Sequence, residues 1–388
     1  MRPQILTFVS AYLPGYKAGG PIQSIANLVD HLGDAFDFKV VTRDRDSGDE
    51  TRYAGVVPGA WADVGKAQVC YLSPKQRTLH SVARLMRETP HDAVYLNSFF
   101  HPHFTMLPLL AMRLGLAPRL PVILAPRGEF SGGALALGAF KKRTFLTLTR
   151  RVGLFRDVLW QASSEHEERD IRATLGRGAR IHVAANLPRK IHGAVPHGAR
   201  EPGTPLRILF LSRISPMKNL LFVLETLARV SVPVDCTLIG FIDTPQYWEE
   251  CKARLATLPS FVKVDLEQTV PSSEVPATMG RFDLLFLPTK GENFGHVIIE
   301  ALGAGTPVLI SDRTPWRDLE EQGAGWVYPL ASVEPYVAAI EQMYREGAAD
   351  AVTRRAAALD YARRFSEAET LVGANKALFE AATGGGAS

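Results

Sequence analysis

The sequence predicts an α/β protein made of two Rossmann-like domains, each built on a parallel sheet. Two observations carry that prediction. Short runs rich in β-branched residues alternate with longer segments of helical apolar spacing, the pattern of βαβ units and hence of parallel strands. Near residue 189 the alternation lapses into RKIHGAVPHGAREPGTP, rich in Gly, Pro and polar groups and without an apolar period, and then begins again. A chain of 388 residues suits two such domains of ordinary size.

The first domain is expected over residues 1–188, with strands at Ile5–Ser10, Phe38–Thr42, Ala93–Asn97, Pro121–Ala125, Val158–Ala162 and Arg180–Ala184. Residues 189–204 are the expected linker. The pattern resumes over 205–365 with strands at Arg207–Leu211, Val234–Ile239, Phe261–Val264, Leu284–Leu287 and Pro307–Ile310, and a helix at Asn219–Val230. The stretch Asp350–Ala382 is Ala-rich and helical, and residues 366–388 are set apart as a C-terminal helix whose Gly384–Gly386 tail frays. Two such domains on one short linker leave a cleft between the carboxyl ends of both sheets, where open α/β sheets bind ligands. A pair of NAD-binding lobes would need GxGxxG after a first strand, whereas the N-terminal loop reads PGYKAGGP.

Composition is that of a globular protein, with 46% hydrophobic and 22% charged residues. A formal charge of +4 over the whole chain is too dilute for a nucleic-acid binder, which concentrates its basic residues on one face. The three cysteines, Cys70, Cys236 and Cys251, lie far apart with no CxxC pairing, which fits a reducing cytoplasm. The opening MRPQILTFVSAYLPG imitates a short signal peptide, but its apolar run is strand-length and no small-x-small cleavage pattern follows. No stretch reaches the ~18 consecutive apolar residues of a membrane span.

The densest chemical signal is KGENFGHVIIEALGAGTPVLISD, from Lys290 to Asp312. It follows the apolar run LLFLP, so Glu292 falls on a loop at a strand's carboxyl end. From Gly295 onward the apolar spacing is helical, which sets Asn293 to His296 at a helix N-terminus, where unpaired N–H groups favour anions or hydroxyl oxygens. Glu300, eight residues after Glu292, is expected to look back toward the same cleft. Two carboxylates there suit the vicinal diols of a hexose and a ribose, at about 1.5–3 kcal/mol per charge-assisted hydrogen bond.

Here the chain resembles the retaining glycosyltransferases of family 4, which have the GT-B fold of two Rossmann-like domains facing across a cleft. The resemblance rests on Glu292-x7-Glu300 and on the continuation EALGAGTPVL, similar to the family's EAMAxGxPV. It implies that Glu300 binds the donor's ribose. Glu292 and the amides of Asn293, Phe294 and Gly295 would hold hydroxyls of the transferred sugar. Asn293 departs from the usual Gly or Ser after the first Glu, which bears on the sugar accepted.

The second signal, LFLSRISPMKN from Leu209 to Asn219, directly follows the first strand of the second domain. Arg213 and Lys218 flank the start of the next helix, where two cations and the helix dipole neutralise a pyrophosphate. By resemblance these stabilise the departing nucleoside diphosphate, which should be the largest catalytic term. No metal and no cofactor is then expected.

In the first domain Gly19 and Gly20 sit on the loop after the first strand, where glycine lets backbone approach a ligand, or simply makes a tight turn. The segment VILAPRGEFSGGAL sets Arg127, Gly128 and Glu129 at a strand end. Many relatives have a His there close to the reacting carbon, and Arg127 stands in its place, as in a subgroup active in polysaccharide assembly. His101 and His103 form an H-x-H pair without a third clustered ligand, so they read as loop packing or substrate contact rather than a metal site. Asn186 either caps a turn or ends the domain near the donor, and His296 reads as a pocket wall.

The run FKKRTFLTLTRRVGLFR, Phe140–Arg156, holds six basic residues and no acidic one, with Phe145, Leu148, Val152 and Phe155 on one helical face. It reads either as a patch for an anionic membrane surface or as a helix packed on the first domain's sheet. Together these readings give a cytoplasmic, at most peripheral, enzyme of cell-surface polysaccharide synthesis. It moves a sugar from GDP-mannose or a UDP-sugar to a glycan or lipid-linked acceptor held against Gly19, Gly20 and Arg127. With no carboxylate nucleophile evident, front-face displacement is the expected route. A nucleotide-sugar 2-epimerase, active on donor alone, and a non-catalytic two-lobed sugar-binding protein are the alternatives.

Overall fold

The computed structural model describes residues 1–131, 144–146, 149, 153–191, 200–201, 203–267 and 269–384. They divide into two compact units, Met1–Leu187 with Ala368–Ser388, and Pro188–Glu367.

In the first unit, strands β1 (Gln4–Phe8), β2 (Asp37–Arg43), β3 (Trp61–Val64), β4 (Ala67–Leu72), β5 (Ala93–Asn97), β6 (Val122–Ala125), β7 (Val158–Ala162) and β8 (Arg180–Val183) form one sheet. Its order is β3-β4-β2-β1-β5-β6-β7-β8, and β3 alone among these pairs antiparallel, to β4. Alternate residues of the central strands feed two cores. Leu6, Phe8, Val41, Val94, Leu96 and Leu124 belong to one. Ile5, Val40, Tyr95 and Ile123 belong to the other. Both faces are therefore covered, as a parallel sheet requires. The helix Gly20–Leu32 covers the second face with Ile25, Leu28, Val29 and Leu32, spaced one helical turn apart.

Sequence reasoning passed over β3 and β4. The Ala-rich stretch Asp350–Ala382 is two helices, Ala348–Ser366 and Glu369–Thr383. The break falls where the apolar allegiance changes. Ala358 and Ala362 join the second unit's core. Leu378, Phe379 and Ala382 join the first unit's. The Phe379 ring meets Phe36 and Phe38 at 5.5 Å and Tyr95 at 5.2 Å between centroids.

The second unit holds β9 (Leu206–Leu211), β10 (Val234–Ile239), β11 (Val262–Glu267), β12 (Leu284–Leu287), β13 (Val308–Ser311) and β14 (Gly325–Tyr328). The order is β11-β10-β9-β12-β13-β14, parallel throughout. Both sheets reverse direction beside their first strand, at β1/β5 and at β9/β12. Loops after those strands open a crevice in each unit. The unpredicted β14 begins with a glycine for a steric reason: a Cβ at Gly325 would lie 2.2 Å from the Val308 carbonyl oxygen.

Candidate functional site

At the second unit's switch point, the loop after β9 is stitched to the loop after β12. Lys290 N donates to Met217 O at 2.8 Å, and the buried Thr289 hydroxyl donates to the same oxygen at 3.1 Å. Asn219 is buried in the left-handed region with φ 62°, and its Nδ2 donates to Pro288 O at 3.0 Å. Asn tolerates that conformation better than other side-chain-bearing residues, so this turn can start the helix Leu220–Leu227. The same loop needs a glycine on its neighbour, because a Cβ at Gly240 would sit 2.0 Å from Ser212 O.

These contacts place Lys218 against Glu292. The ammonium is ion-paired with Glu292 Oε2, the two side chains being 12% and 19% exposed. Arg213 is exposed and makes a looser pair with Asp243 at 3.6 Å, leaving its guanidinium accessible to solvent. The helix His296–Gly303 starts at Gly295, which is left-handed (φ 80°) and has no side-chain cap. A Cβ there would come within 2.9 Å of Ile298 Cδ1 and 3.0 Å of Glu292 Cγ. Phe294 is buried, its carbonyl accepting from Trp316 Nε1 at 2.6 Å and its ring 4.7 Å from that of His296. Asn293 is half-buried.

Glu300 lies one turn into this helix with its side chain 8% exposed. Burial pushes its carboxyl up to about 7, against the pull of Arg189. Arg189 Nε is 3.9 Å from Glu300 Oε1, and Arg189 Nη2 donates to Ser272 Oγ at 2.6 Å. Glu300 Oε1 is buried and accepts no hydrogen bond from the described residues.

The first unit's switch point is built differently. Gly19 has φ 60° with open space where a Cβ would go, so its glycine serves the turn into the helix that Gly20 begins. The buried Asp46 carboxylate holds that loop, accepting from Tyr16 N at 2.7 Å and Lys17 N at 3.1 Å. Arg127, left-handed at φ 56°, turns its guanidinium onto internal acceptors. It donates to Asn97 Oδ1 at 2.8 Å from Nη2, to the Tyr95 hydroxyl at 2.6 Å, and to Asn186 Oδ1. Flanking it, Glu129 accepts from the Ser98 hydroxyl at 2.6 Å and Phe100 N at 3.0 Å. Glu167 Oε1 accepts from Gly128 N at 2.5 Å. His101 Nδ1 accepts from His103 N at 3.3 Å and Phe104 N at 3.2 Å, capping the short helix that follows. Burial, with His103, Arg43 and Arg77, holds its ring neutral with a pKa lowered to about 4.

Residues 196–364 match the family model of glycosyl transferases group 1. That match lies within the second unit and spans most of it. The GDP-mannose:cellobiosyl-diphosphopolyprenol alpha-mannosyltransferase of Xanthomonas campestris is 26% identical over 249 residues, 63% of this chain and 64% of that one. The chain thus spans just under two thirds of the length of that curated relative. Among solved structures, sucrose-phosphate synthase from Thermosynechococcus elongatus superposes with a TM-score of 0.73 at 15% identity, over 98% of this chain and 99% of that one. Anabaena HepE in complex with UDP-glucose gives 0.66 at 17% identity, over 97% and 98%. The chain has the GT-B fold.

Within the second unit the structure brings together Lys218, Glu292 and the Asn293–Gly295 turn. It matches the two carboxylates to different cations, Glu292 to Lys218 and Glu300 to Arg189. Sequence reasoning missed Arg189, which lay at the first position of the expected linker and carried no motif. It also passed over an Asp-x-Asp, Asp44-Arg45-Asp46, the motif that clamps a metal and diphosphate in the other main glycosyltransferase fold. Both carboxylates are buried and engaged. Asp44 pairs with Arg45 at 2.9 Å, and Asp46 accepts from backbone amides. The motif anchors the Tyr16–Gly20 loop. Of the basic run, Phe145 and Phe155 pack toward the core, 5.8 Å and 4.6 Å from the Phe99 ring. Leu148, Val152 and the lysines lie outside the described residues.

Proposed function

We propose that the chain is a retaining, metal-independent glycosyltransferase whose second unit binds a nucleotide-sugar donor and whose first unit binds the acceptor. The observation that carries this reading is the Lys218–Glu292 pair at the β9/β12 crevice, with the exposed Arg213 on the same loop as Lys218 and the uncapped helix start at Gly295. A diphosphate arriving there meets two cations and a helix N-terminus. Lys218 then shares its charge between phosphate and Glu292, leaving Glu292 and the Asn293–Gly295 amides to take the sugar's hydroxyls. Glu300 takes the ribose diol.

As the glycosidic bond breaks, charge grows on the β-phosphate, and Arg213 and Lys218 meet it without reorganising. The departing phosphate takes the acceptor's proton on the face it leaves, so configuration is retained. In the first unit, Gly19 and Gly20 border the acceptor. Arg127 acts by fixing the Pro126–Glu129 turn and offering its remaining Nη1 hydrogen.

The Xanthomonas relative is named for GDP-mannose and a diphosphopolyprenol-linked acceptor, and HepE was solved with UDP-glucose. GDP-mannose is the first donor to test, UDP-sugars the second, with a lipid-linked glycan as acceptor. No described helix is long and apolar enough to cross a membrane. Access to a lipid-linked acceptor at a cytoplasmic membrane face would come through the basic residues of Phe140–Arg156. Sedimentation with anionic liposomes checks that docking, and no binding would remove it. The central test is thermal shift against GDP, UDP and ADP and their sugars, a ligand at 100 times its Kd adding about 2.7 kcal/mol. Product analysis of the anomer follows, and an inverted product overturns the mechanism. Turnover of a donor without acceptor would favour epimerisation.

A further inference from the structure

We propose that Arg189, at the start of the second unit, is a positioning residue that keeps Glu300 in its charged, hydrogen-bond-accepting form for the ribose of the donor nucleotide. This rests on the proposed role of Glu300 above.

A vicinal diol presents two O–H donors, and an ionised carboxylate accepts both, whereas a neutral carboxyl spends one oxygen as a donor itself. Glu300 is buried enough that its environment alone favours the neutral form. The charge opposing this is Arg189, at 3.9 Å from Oε1. That separation is an attraction between charges and not a hydrogen bond. Oε1 therefore keeps its lone pairs for a ligand, in keeping with its having no hydrogen-bond partner among the described residues. Ser272 accepts from Arg189 Nη2 at 2.6 Å and steadies the guanidinium at this distance.

Lys190 follows Arg189 in the segment whose Ile191 meets this helix at Gly303, and Asp350 and Arg363 on the packed helix are exposed; the remaining charged groups there are committed elsewhere. On the helix Ala348–Ser366, Arg354 pairs with Glu346, and Arg364 with Asp360. Arg355 donates to the carbonyls of Gly280 and Phe282, and the Tyr361 hydroxyl to Asp318. The helix Val275–Gly280 and β13 bring no titratable side chain. On the Glu300 helix itself, His296 lies against Phe294.

The experiment is isothermal titration of GDP and UDP, and of their 2′,3′-dideoxy forms, into the full chain from pH 6 to 9, in two buffers of different ionisation enthalpy. The proteins are wild type, Arg189→Gln, Arg189→Lys and Glu300→Gln. Loss of an arginine at this distance moves a carboxyl by about one pH unit at the low end. Arg189→Gln should then bind the ribonucleotide roughly fivefold more weakly at pH 7 and within about twofold of wild type at pH 9. Arg189→Lys should restore most of the loss. The dideoxy ligand should respond to neither variant, and wild type should release a fraction of a proton on binding the ribonucleotide near pH 7. In turnover the change should fall on KM for the donor, with kcat held.

Equal weakening at every pH, or an equal effect on dideoxy and ribo ligands, overturns the proposal and makes Arg189 a phosphate contact or a packing residue. Unchanged binding by Glu300→Gln overturns it through Glu300. Failure of wild type to bind either nucleotide at any pH would instead defeat the underlying donor-site reading.

Discussion

Replacing Glu300 with Gln should make the protein more stable at alkaline pH while weakening donor binding. A carboxyl whose folded pKa is about 7, against an ordinary 4.5, binds more protons folded than unfolded between those values. Its penalty is absent below about pH 4.5 and grows as pH rises, reaching its full size above 7. At 1.36 kcal/mol per pH unit the penalty amounts to roughly 3 kcal/mol. An amide of the same shape does not ionise and escapes it. Arg189, left without its partner, is 31% exposed and keeps Ser272, so its own loss should be small. Urea unfolding at pH 4.5, 6, 7 and 8.5, followed by circular dichroism, should show the two proteins alike at the lowest pH. At pH 8.5 Gln should lead by roughly 2–3 kcal/mol. A constant difference across the series, or a Gln variant less stable at pH 8.5, would refute the reasoning.

Other substitutions test the remaining pieces. Arg213→Gln and Lys218→Gln should each lower kcat by about 10²–10³-fold if they stabilise the leaving diphosphate, and steady-state kinetics with the identified donor would expose a smaller role. Gly240→Ala forces a Cβ against the Ser212 carbonyl oxygen and should cost about 1–3 kcal/mol, so an unchanged melting temperature would show that the loop yields. Arg127→Met strips donors from the buried Asn97 and Asn186 and should destabilise by about 2–3 kcal/mol, readable in urea, even where acceptor binding is not assayed.

The strands legible from sequence were mostly those buried on both faces, such as β1, β5, β9 and β12, where packing from two sides demands an uninterrupted apolar run. Two of those passed over had other constraints. The antiparallel edge strand β3 reads WADV, with half its residues exposed, and β14 opens on a glycine fixed by a neighbour's carbonyl. In the site, residues with a local pattern were readable: Glu292 and Glu300 by spacing, Lys218 by its place after a strand. Arg189, Asp46 and Asn186 act through partners that are 111, 30 and 59 positions away in the chain, and no local window connects them. The commitment of Arg127 to Tyr95, Asn97 and Asn186 likewise depends on strand neighbours, which only the sheet order reveals.

Because the helix Glu369–Thr383 lays Leu378 and Phe379 into the core that Ile5, Phe38 and Tyr95 begin, that core closes only with residues that follow the whole of the second unit in the chain. On the ribosome, the sheet formed by residues before 188 must wait with Phe36 and Phe38 uncovered until Phe379 has been made. Premature termination near residue 367 would leave a sticky apolar face on the early half, and removing that short stretch should send the protein into inclusion bodies sooner than trimming a loop of equal length.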